Sequence, residues 1–288
     1  DVAPSRGLGD VYKRQFVLMG VLTFILLLLG NAIGGQNGIF IALIMAGFMN
    51  FFSYWYSDKI VLSMYGAQPV DKNTHLYQLV EKLAKSADLP MPKVYIINEA
   101  QPNAFATGRN PKNAAVAVTR GLMDLVDDYE LAGVIGHELG HVHNKDILIS
   151  TVAATMAGAI AFLANMAKWA AIFGNHRDDE DGGSNPIALI GIAIFAPLAA
   201  MLVQMAISRT REYKADRFGA KVSGNPLYLA NALRKLDMYS RRIPMPNAAP
   251  ATENMFIVSP LAGSKMANLF STHPSTAVSY THLTLPTT

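Results

Sequence analysis

Residues Gly136-His137-Glu138-Leu139-Gly140-His141 carry the pattern His-Glu-x-x-His, and how this stretch is read decides what kind of domain surrounds it. Helical residues four apart lie on one face. Two imidazoles so placed can grip one zinc ion while Glu138, one step round, faces a water that the metal activates. The flanks favour a helix: Asp127 or Asp128 can serve as N-cap, Glu130 falls in the first turn, and Leu131, Val134, Ile135 and Val142 form an apolar stripe. Gly136 and Gly140 lie inside that helix, each at a cost of about 1 kcal/mol relative to alanine. Their presence predicts a close approach there, either by the helix carrying a third ligand or by substrate backbone.

A catalytic zinc usually takes three protein ligands and leaves a fourth position for water. Cysteine is absent, so the third donor is a histidine or a carboxylate. The remaining histidines are His75, His143, His176, His273 and His282. Among carboxylates, Glu212 is well placed in the run Arg211-Glu212-Tyr213-Lys214-Ala215-Asp216, where Glu212 and Asp216 share a helix face. In this reading Glu212 binds metal and Asp216 orients a ligand from behind. From spacing alone the same pair also reads as an ordinary solvated helix face. His143 points away from the His137/His141 face, and His75 and His176 have no supporting neighbours.

Apolar residues make up 51% of the 288, charged residues 16%, and the formal net charge is +3. Mean hydropathy is +0.23, which argues for membrane segments beside a modest soluble domain. Four charge-free runs reach spanning length: residues 16–33, 39–56, 147–167 and 186–208. They define two hairpins, with an uncharged loop over residues 31–38 in the first. The run at 147–167 is rich in small residues, which suit tight packing between membrane helices. Pro197 predicts a kink in the fourth run, and Tyr54, Trp55 and Tyr56 close the second like an interfacial aromatic belt. Residues 174–185 carry one arginine against four acids, whereas Arg209, Arg211, Lys214 and Arg217 follow the fourth run. The positive-inside rule then places residues 58–146 and 209–277 on the cytoplasmic side. Two crossings separate the histidine pair from Glu212, and an even number returns the chain to the face it left. The motif helix itself is flanked by too many charges to be a span, which disfavours an intramembrane protease.

Within the soluble part, residues 74–87 read as an amphipathic helix through Leu76, Leu79, Val80 and Leu83. Residues 94–97, 104–107 and 115–119 read as short strands of a small sheet whose edge could pair with an extended substrate. Residues 219–240 read as one further helix, and residues 243–250 as a loop. His273 in Ser271-Thr272-His273-Pro274 is either a donor to the oxyanion formed in peptide hydrolysis or a loop histidine without function. No basic-aromatic patch points to nucleic acid, and the lack of cysteine agrees with a reducing compartment.

The order of these features is itself informative. Two spans, a small sheet with Asn103-Ala104-Phe105-Ala106-Thr107-Gly108, His137-Glu138-Leu139-Gly140-His141, two more spans, Arg211-Glu212-Tyr213-Lys214-Ala215-Asp216 and finally Phe270-Ser271-Thr272-His273-Pro274 resemble the HtpX-type membrane zinc metalloproteases, relatives of the CAAX prenyl endopeptidases. The resemblance runs over about residues 16–276. It implies a mainly α fold, with four transmembrane helices and a small α+β, zincin-like (gluzincin) catalytic domain on the cytoplasmic side of a bacterial inner membrane. It implies one zinc per chain and makes Glu212 the third ligand beside His137 and His141; the reading of the residues adds Glu138 as general base, Asp216 behind the ligands and His273 as the candidate oxyanion donor at the catalytic centre. The activity it implies is that of an endopeptidase degrading misfolded or damaged membrane proteins in a stress response. The partners are then such substrates and the lipid bilayer, with homo-oligomers left open. Residues 1–15 and 278–288 depart from the family pattern and read as non-native segments. The competing expectation is a non-enzymatic membrane protein whose metal is structural or transported. A transport site, however, calls for ionisable groups at membrane depth, and the four runs contain none.

Overall fold

The computed structural model describes residues 5–158, 209–240, 242–243, 245, 252 and 255–258. The motif helix forms where its signals place it. Asp127 caps it by accepting from the Glu130 amide, while the Glu130 carboxylate accepts from the Asp127 amide, so a reciprocal capping box starts the helix Asp128–His143. Lys235 Nζ donates to the same Glu130 carboxylate at 2.6 Å, which anchors that first turn to the rest of the domain. In chain order the elements are α1 Ser5–Met64, β1 Gln68–Pro69, α2 His75–Ser86, β2 Lys93–Ile97, β3 Ala104–Gly108, a 3-10 turn Pro111–Asn113, β4 Ala114–Thr119, α3 Arg120–Leu125, α4 Asp128–His143, α5 Asp146–Gly158, α6 Arg209–Ser223 and α7 Pro226–Ser240.

The sheet order is β1-β2-β4-β3, with β2 and β4 parallel and both outer pairings antiparallel. Central β4 is buried along its whole length because both of its faces are covered. Val116 and Val118 pack towards Leu76, Val80 and Leu83 of α2 and Leu131, Ile135 and Leu139 of α4. Ala115 and Ala117 point the other way, into a cluster with Val61 of α1, Tyr65 just after it, Phe105 and Phe256. Strand alternation thus divides one continuous apolar run between two cores. Thr74 caps α2, and Leu76, Val80 and Leu83 form its buried face, as the sequence periodicity requires.

Two expectations need correction. Residues 31–38 are not an open loop, because the chain is helical through Ser5–Met64. It nonetheless doubles back: Asn50 Nδ2 donates to Thr23 Oγ1 at 3.0 Å, although 27 residues of straight helix would hold them about 40 Å apart. Gly35 lies near their midpoint with φ +55°, a conformation that glycine adopts without steric penalty. The chain therefore reverses direction near Gly35 without an open loop. Residues 219–240 are also not one helix. α6 ends at Ser223; Gly224 takes φ +91°, the Asn225 side chain accepts from the Leu227 amide, and Pro226 opens α7.

Gly35–Met64 is long and apolar enough to cross a bilayer by length and composition. Phe40, Ile44, Phe48, Phe51 and Phe52 on it are exposed. The expected run at 147–167 begins as helix α5, and its remainder, like all of 186–208, falls outside the described residues.

Candidate metal centre

α4 and α6 cross at contact distance because neither has a side chain in the way. A Cβ built on Gly140 would meet Ala215 Cα at 2.8 Å, and one built on Gly136 would meet the Gly219 carbonyl oxygen at 3.0 Å. From the opposite side, a Cβ on Gly219 would lie 2.7 Å from the His137 amide nitrogen. The two glycines that weaken α4 as an isolated helix are what admit α6, and α6 carries Glu212. Of the two expectations for that close approach, the structure selects the helix of the third donor.

This crossing brings three donor atoms together. His137 Nε2 and His141 Nε2 stand 3.2 Å apart, and each is 3.6 Å from Glu212 Oε2. Ligand atoms about 2.0–2.1 Å from a tetrahedral zinc stand about 3.3–3.4 Å from one another, so this triangle has the size of one face of such a site. The imidazole planes are nearly perpendicular, at 86°, with both Nε2 atoms turned to a common point. The three residues form the group that could hold a metal ion among the described residues.

Each imidazole is also held from behind. His137 Nδ1 is 2.9 Å from Asp216 Oδ1, and both side chains are buried to 2% exposure. His141 Nδ1 is 3.6 Å from Asp146 Oδ2, and Arg211 Nε is 3.9 Å from Asp146 Oδ1. The sequence reading gives neither Asp146 nor Arg211 a role at this site. A backbone break places Asp146: α4 is capped by Asn144, Lys145 turns through φ +61°, and Asp146 starts α5 folded back towards His141.

The electrostatics favour a cation at this point. Burial depresses the His137 imidazole, but the hydrogen bonds to Asp216 and Glu212 outweigh it and lift the pKa from 6.5 to about 9. Burial likewise opposes protonation of His141, and the charge of Glu212, the contacts to Asp146 and Glu212 and the nearby Glu138 carboxylate raise its pKa well above 6.5. Glu138 itself is buried on α4. A site whose carboxylates draw protons onto imidazoles is chemically suited to exchange them for a divalent ion.

A family model described as peptidase family M48 matches residues 71–284. The chain belongs to peptidase family M48. It is 57% identical over 264 residues to a protease HtpX homolog of Desulforapulum autotrophicum, covering 91% of this chain and 85% of that protein. It is 51% identical over 266 residues to protease HtpX of Legionella pneumophila, covering 92% of this chain and 95% of that one. A crystal structure of S. mikatae Ste24p is similar in fold, with a TM-score of 0.53 at 18% identity over 94% of this chain; the chain spans about 64% of that neighbour's length.

Within this M48 chain the remaining histidines lie elsewhere. His143 is exposed and stacks on Phe218, with ring centroids 4.4 Å apart. His75 pairs with Asp128 at 3.2 Å on the surface. His176, His273 and His282 fall outside the described residues. The sheet edge nearest the site is β3, and the chain itself engages that edge at both ends. The Ile257 amide donates to the Ala104 carbonyl, and the Gly108 amide to Thr151 Oγ1.

Proposed function

We propose that this M48 peptidase is a membrane-bound zinc endopeptidase, with His137, His141 and Glu212 as metal ligands and Glu138 as the general base. The observation that carries the reading is the triangle of Nε2, Nε2 and Oε2 atoms at 3.2 to 3.6 Å, built by a glycine-mediated helix crossing. Zinc held there would polarise the scissile carbonyl and lower the pKa of the attacking water. Asp216 holds the His137 imidazole with Nε2 facing inward, fixing the tautomer that ligation needs, and the Asp146 carboxylate lies behind His141. Glu138, buried beside His141, accepts the proton of the water and delivers it to the departing amine. The burial that keeps bulk water from this carboxylate also strengthens its action on the developing charges.

The membrane reading is supported by Gly35–Met64, whose length suits a span and whose exposed aromatic and aliphatic side chains would meet solvent badly and lipid well. The basic residues Arg209, Arg211, Lys214 and Arg217 support a cytoplasmic site on a bacterial inner membrane, with four spans in all. Misfolded or damaged membrane proteins are the substrate class we assign, in a role in stress-induced quality control that rests on the HtpX-type resemblance. The test is Glu138→Gln in detergent-purified protein. Zinc content should stay at one per chain while cleavage of an unfolded casein-like substrate drops by about a thousandfold or more. Cleavage at the wild-type rate would remove Glu138 from the chemistry, and wild-type protein devoid of bound zinc and activity would remove the endopeptidase reading altogether.

A further inference from the structure

Where α1 passes the sheet, its aromatic end and one end of the strands enclose a cavity of about 520 Å³. Three cations line it from separate elements: Lys59 on α1, Lys93 at the start of β2 and Arg109 just after β3. Among the described residues none of the three forms an ion pair with a carboxylate. The single acidic side chain in the lining is Asp58, leaving an excess of positive charge; Asn113 adds an amide. Two of the cations rest on rings instead. The Arg109 guanidinium lies 4.2 Å above Trp55, and Lys59 Nζ lies 5.2 Å from the Tyr56 ring centre.

The depth of this cavity follows from helix geometry. From Gly35 to Tyr56 is 21 residues, about 32 Å of helix at 1.5 Å per residue, which matches the hydrocarbon thickness of a bilayer. Trp55 and Tyr56 then lie where the acyl chains end, and Lys59 lies one turn further, among the headgroups. Phe48, Phe51 and Phe52 continue from the cavity mouth along the exposed side of α1 towards the membrane centre, and Phe48 stacks on Phe52 at 5.5 Å. A polar cavity rich in cations at headgroup depth, continuous with an apolar aromatic row, fits a molecule that has an anionic head and hydrocarbon tails.

We propose that this cavity is a binding site for the phosphate headgroup of an anionic phospholipid, with Lys93 and Arg109 as its specificity-determining residues. The proposal rests on the membrane reading above. It also assigns the β2-start and β3-end side of the sheet to the lipid surface, so headgroup binding orients the soluble domain on the bilayer.

Trp55 reports on the site directly. The chain has one other tryptophan, Trp169, so a Trp169→Phe background isolates the signal. The full chain in that background is reconstituted in vesicles containing either brominated phosphatidylglycerol or brominated phosphatidylcholine at equal mole fraction, and quenching is compared. Each interfacial Lys or Arg contributes about fivefold in preference for anionic lipid, so the phosphatidylglycerol signal should correspond to an enrichment of about fivefold or more. Lys93→Gln with Arg109→Gln should erase that enrichment. Lys112→Gln, which neutralises an exposed cation of the same turn outside the cavity, should preserve it. Equal quenching by both lipids overturns the headgroup site while leaving the membrane reading intact, and so does an enrichment lost equally in Lys112→Gln. Quenching by neither lipid overturns the membrane reading together with the site. Inorganic phosphate perturbing Trp55 emission in lipid-free micelles, in a manner abolished by the double substitution, would assign the cavity to soluble phosphate and overturn the lipid source.

Discussion

Gly219→Ala is the substitution that most directly tests how the metal triangle is built. The new Cβ would lie 2.7 Å from the His137 amide nitrogen and 2.9 Å from its Cα, whereas ordinary contact starts near 3.4 Å. The difference, 3.4 minus 2.7, requires α6 to retreat from α4 by about 0.7 Å, since backbone on both sides leaves nothing flexible to give way. Glu212 stands seven residues earlier on the same helix, about two turns away on the same face, so it moves with the crossing. Its Oε2, now 3.6 Å from each Nε2, would exceed 4 Å, beyond the roughly 3.4 Å edge that a tetrahedral ion spans. Zinc affinity should fall on the order of 10- to 100-fold, the range typical for disturbing a ligand's support. kcat/KM should fall by about 100-fold at limiting zinc, the cost of a displacement near 1 Å.

Stability moves much less. Alanine gains about 1 kcal/mol in helix propensity over glycine, while overpacking costs about 1–3 kcal/mol. The net is about 0–2 kcal/mol of destabilisation, which alone would not strip a metal. Thr74→Ala provides the control: it removes the α2 cap at a similar cost of about 1 kcal/mol, far from the site. Zinc affinity measured by competition with a chromogenic chelator, alongside thermal melts, separates the two effects. If Gly219→Ala binds zinc and cleaves substrate like the parent while Thr74→Ala costs the same stability, the crossing is soft and the triangle is held by something other than helix proximity.

Glu212→Ala should lower zinc content well below one per chain in elemental analysis, and unchanged stoichiometry would exclude Glu212 as a ligand. Asp216→Asn keeps the shape that abuts His137 Nδ1 and removes the charge, so zinc should dissociate about 10- to 100-fold more readily in chelator competition. The raised pKa values of the imidazoles set a pH dependence in the metal-free chain. Because the folded pKa of His137 exceeds 6.5, the stability it adds is complete below about 6.5 and is lost as pH rises through about 9. Melting temperatures of chelator-treated protein should therefore fall across that window, and zinc uptake at pH 7.5 should release protons, visible as heats that depend on the buffer. Lys235→Met leaves the buried Glu130 carboxylate without its cation and should cost about 1–3 kcal/mol in denaturant unfolding with zinc affinity unchanged.

Much of this site was legible because local signals and global packing agree. The capping box at Asp127 and Glu130 and the apolar stripe through Val134 and Ile135 dictate α4 independently of the rest of the fold. Gly136 and Gly140 stood out as a local cost without local compensation, and the compensation proved to be tertiary. The helix at 219–240 was misread because Leu227, Leu229, Leu233 and Leu236 continue an apolar pattern past Gly224-Asn225-Pro226, where turn chemistry should have outweighed periodicity. β1, with two residues, has no pattern to read; it exists because β2 offers it an edge. Asp146 was hidden for another reason. Its role depends on a left-handed residue at Lys145, which points the next carboxylate back at the helix it has just left, and lysine carries no signal for that conformation.

That hidden residue ties the site to the segment that divides it. Asp146 stands immediately before residues 147–208, and Arg211 three residues after them, yet Arg211 Nε and Asp146 Oδ1 are 3.9 Å apart while Asp146 Oδ2 faces His141 Nδ1. The start of α5 and the first turn of α6 therefore meet at one point, behind the His141 imidazole of the candidate metal centre. Any displacement of α5 relative to α6 must move Asp146 against Arg211, and through it the ring of His141. Asp146 thus links the His141 side of the triangle to the facing ends of α5 and α6. Zinc binding should accordingly protect the α5 and α6 ends from hydrogen exchange as strongly as it protects α4, whereas protection confined to α4 would show that these helix ends are held independently of the metal.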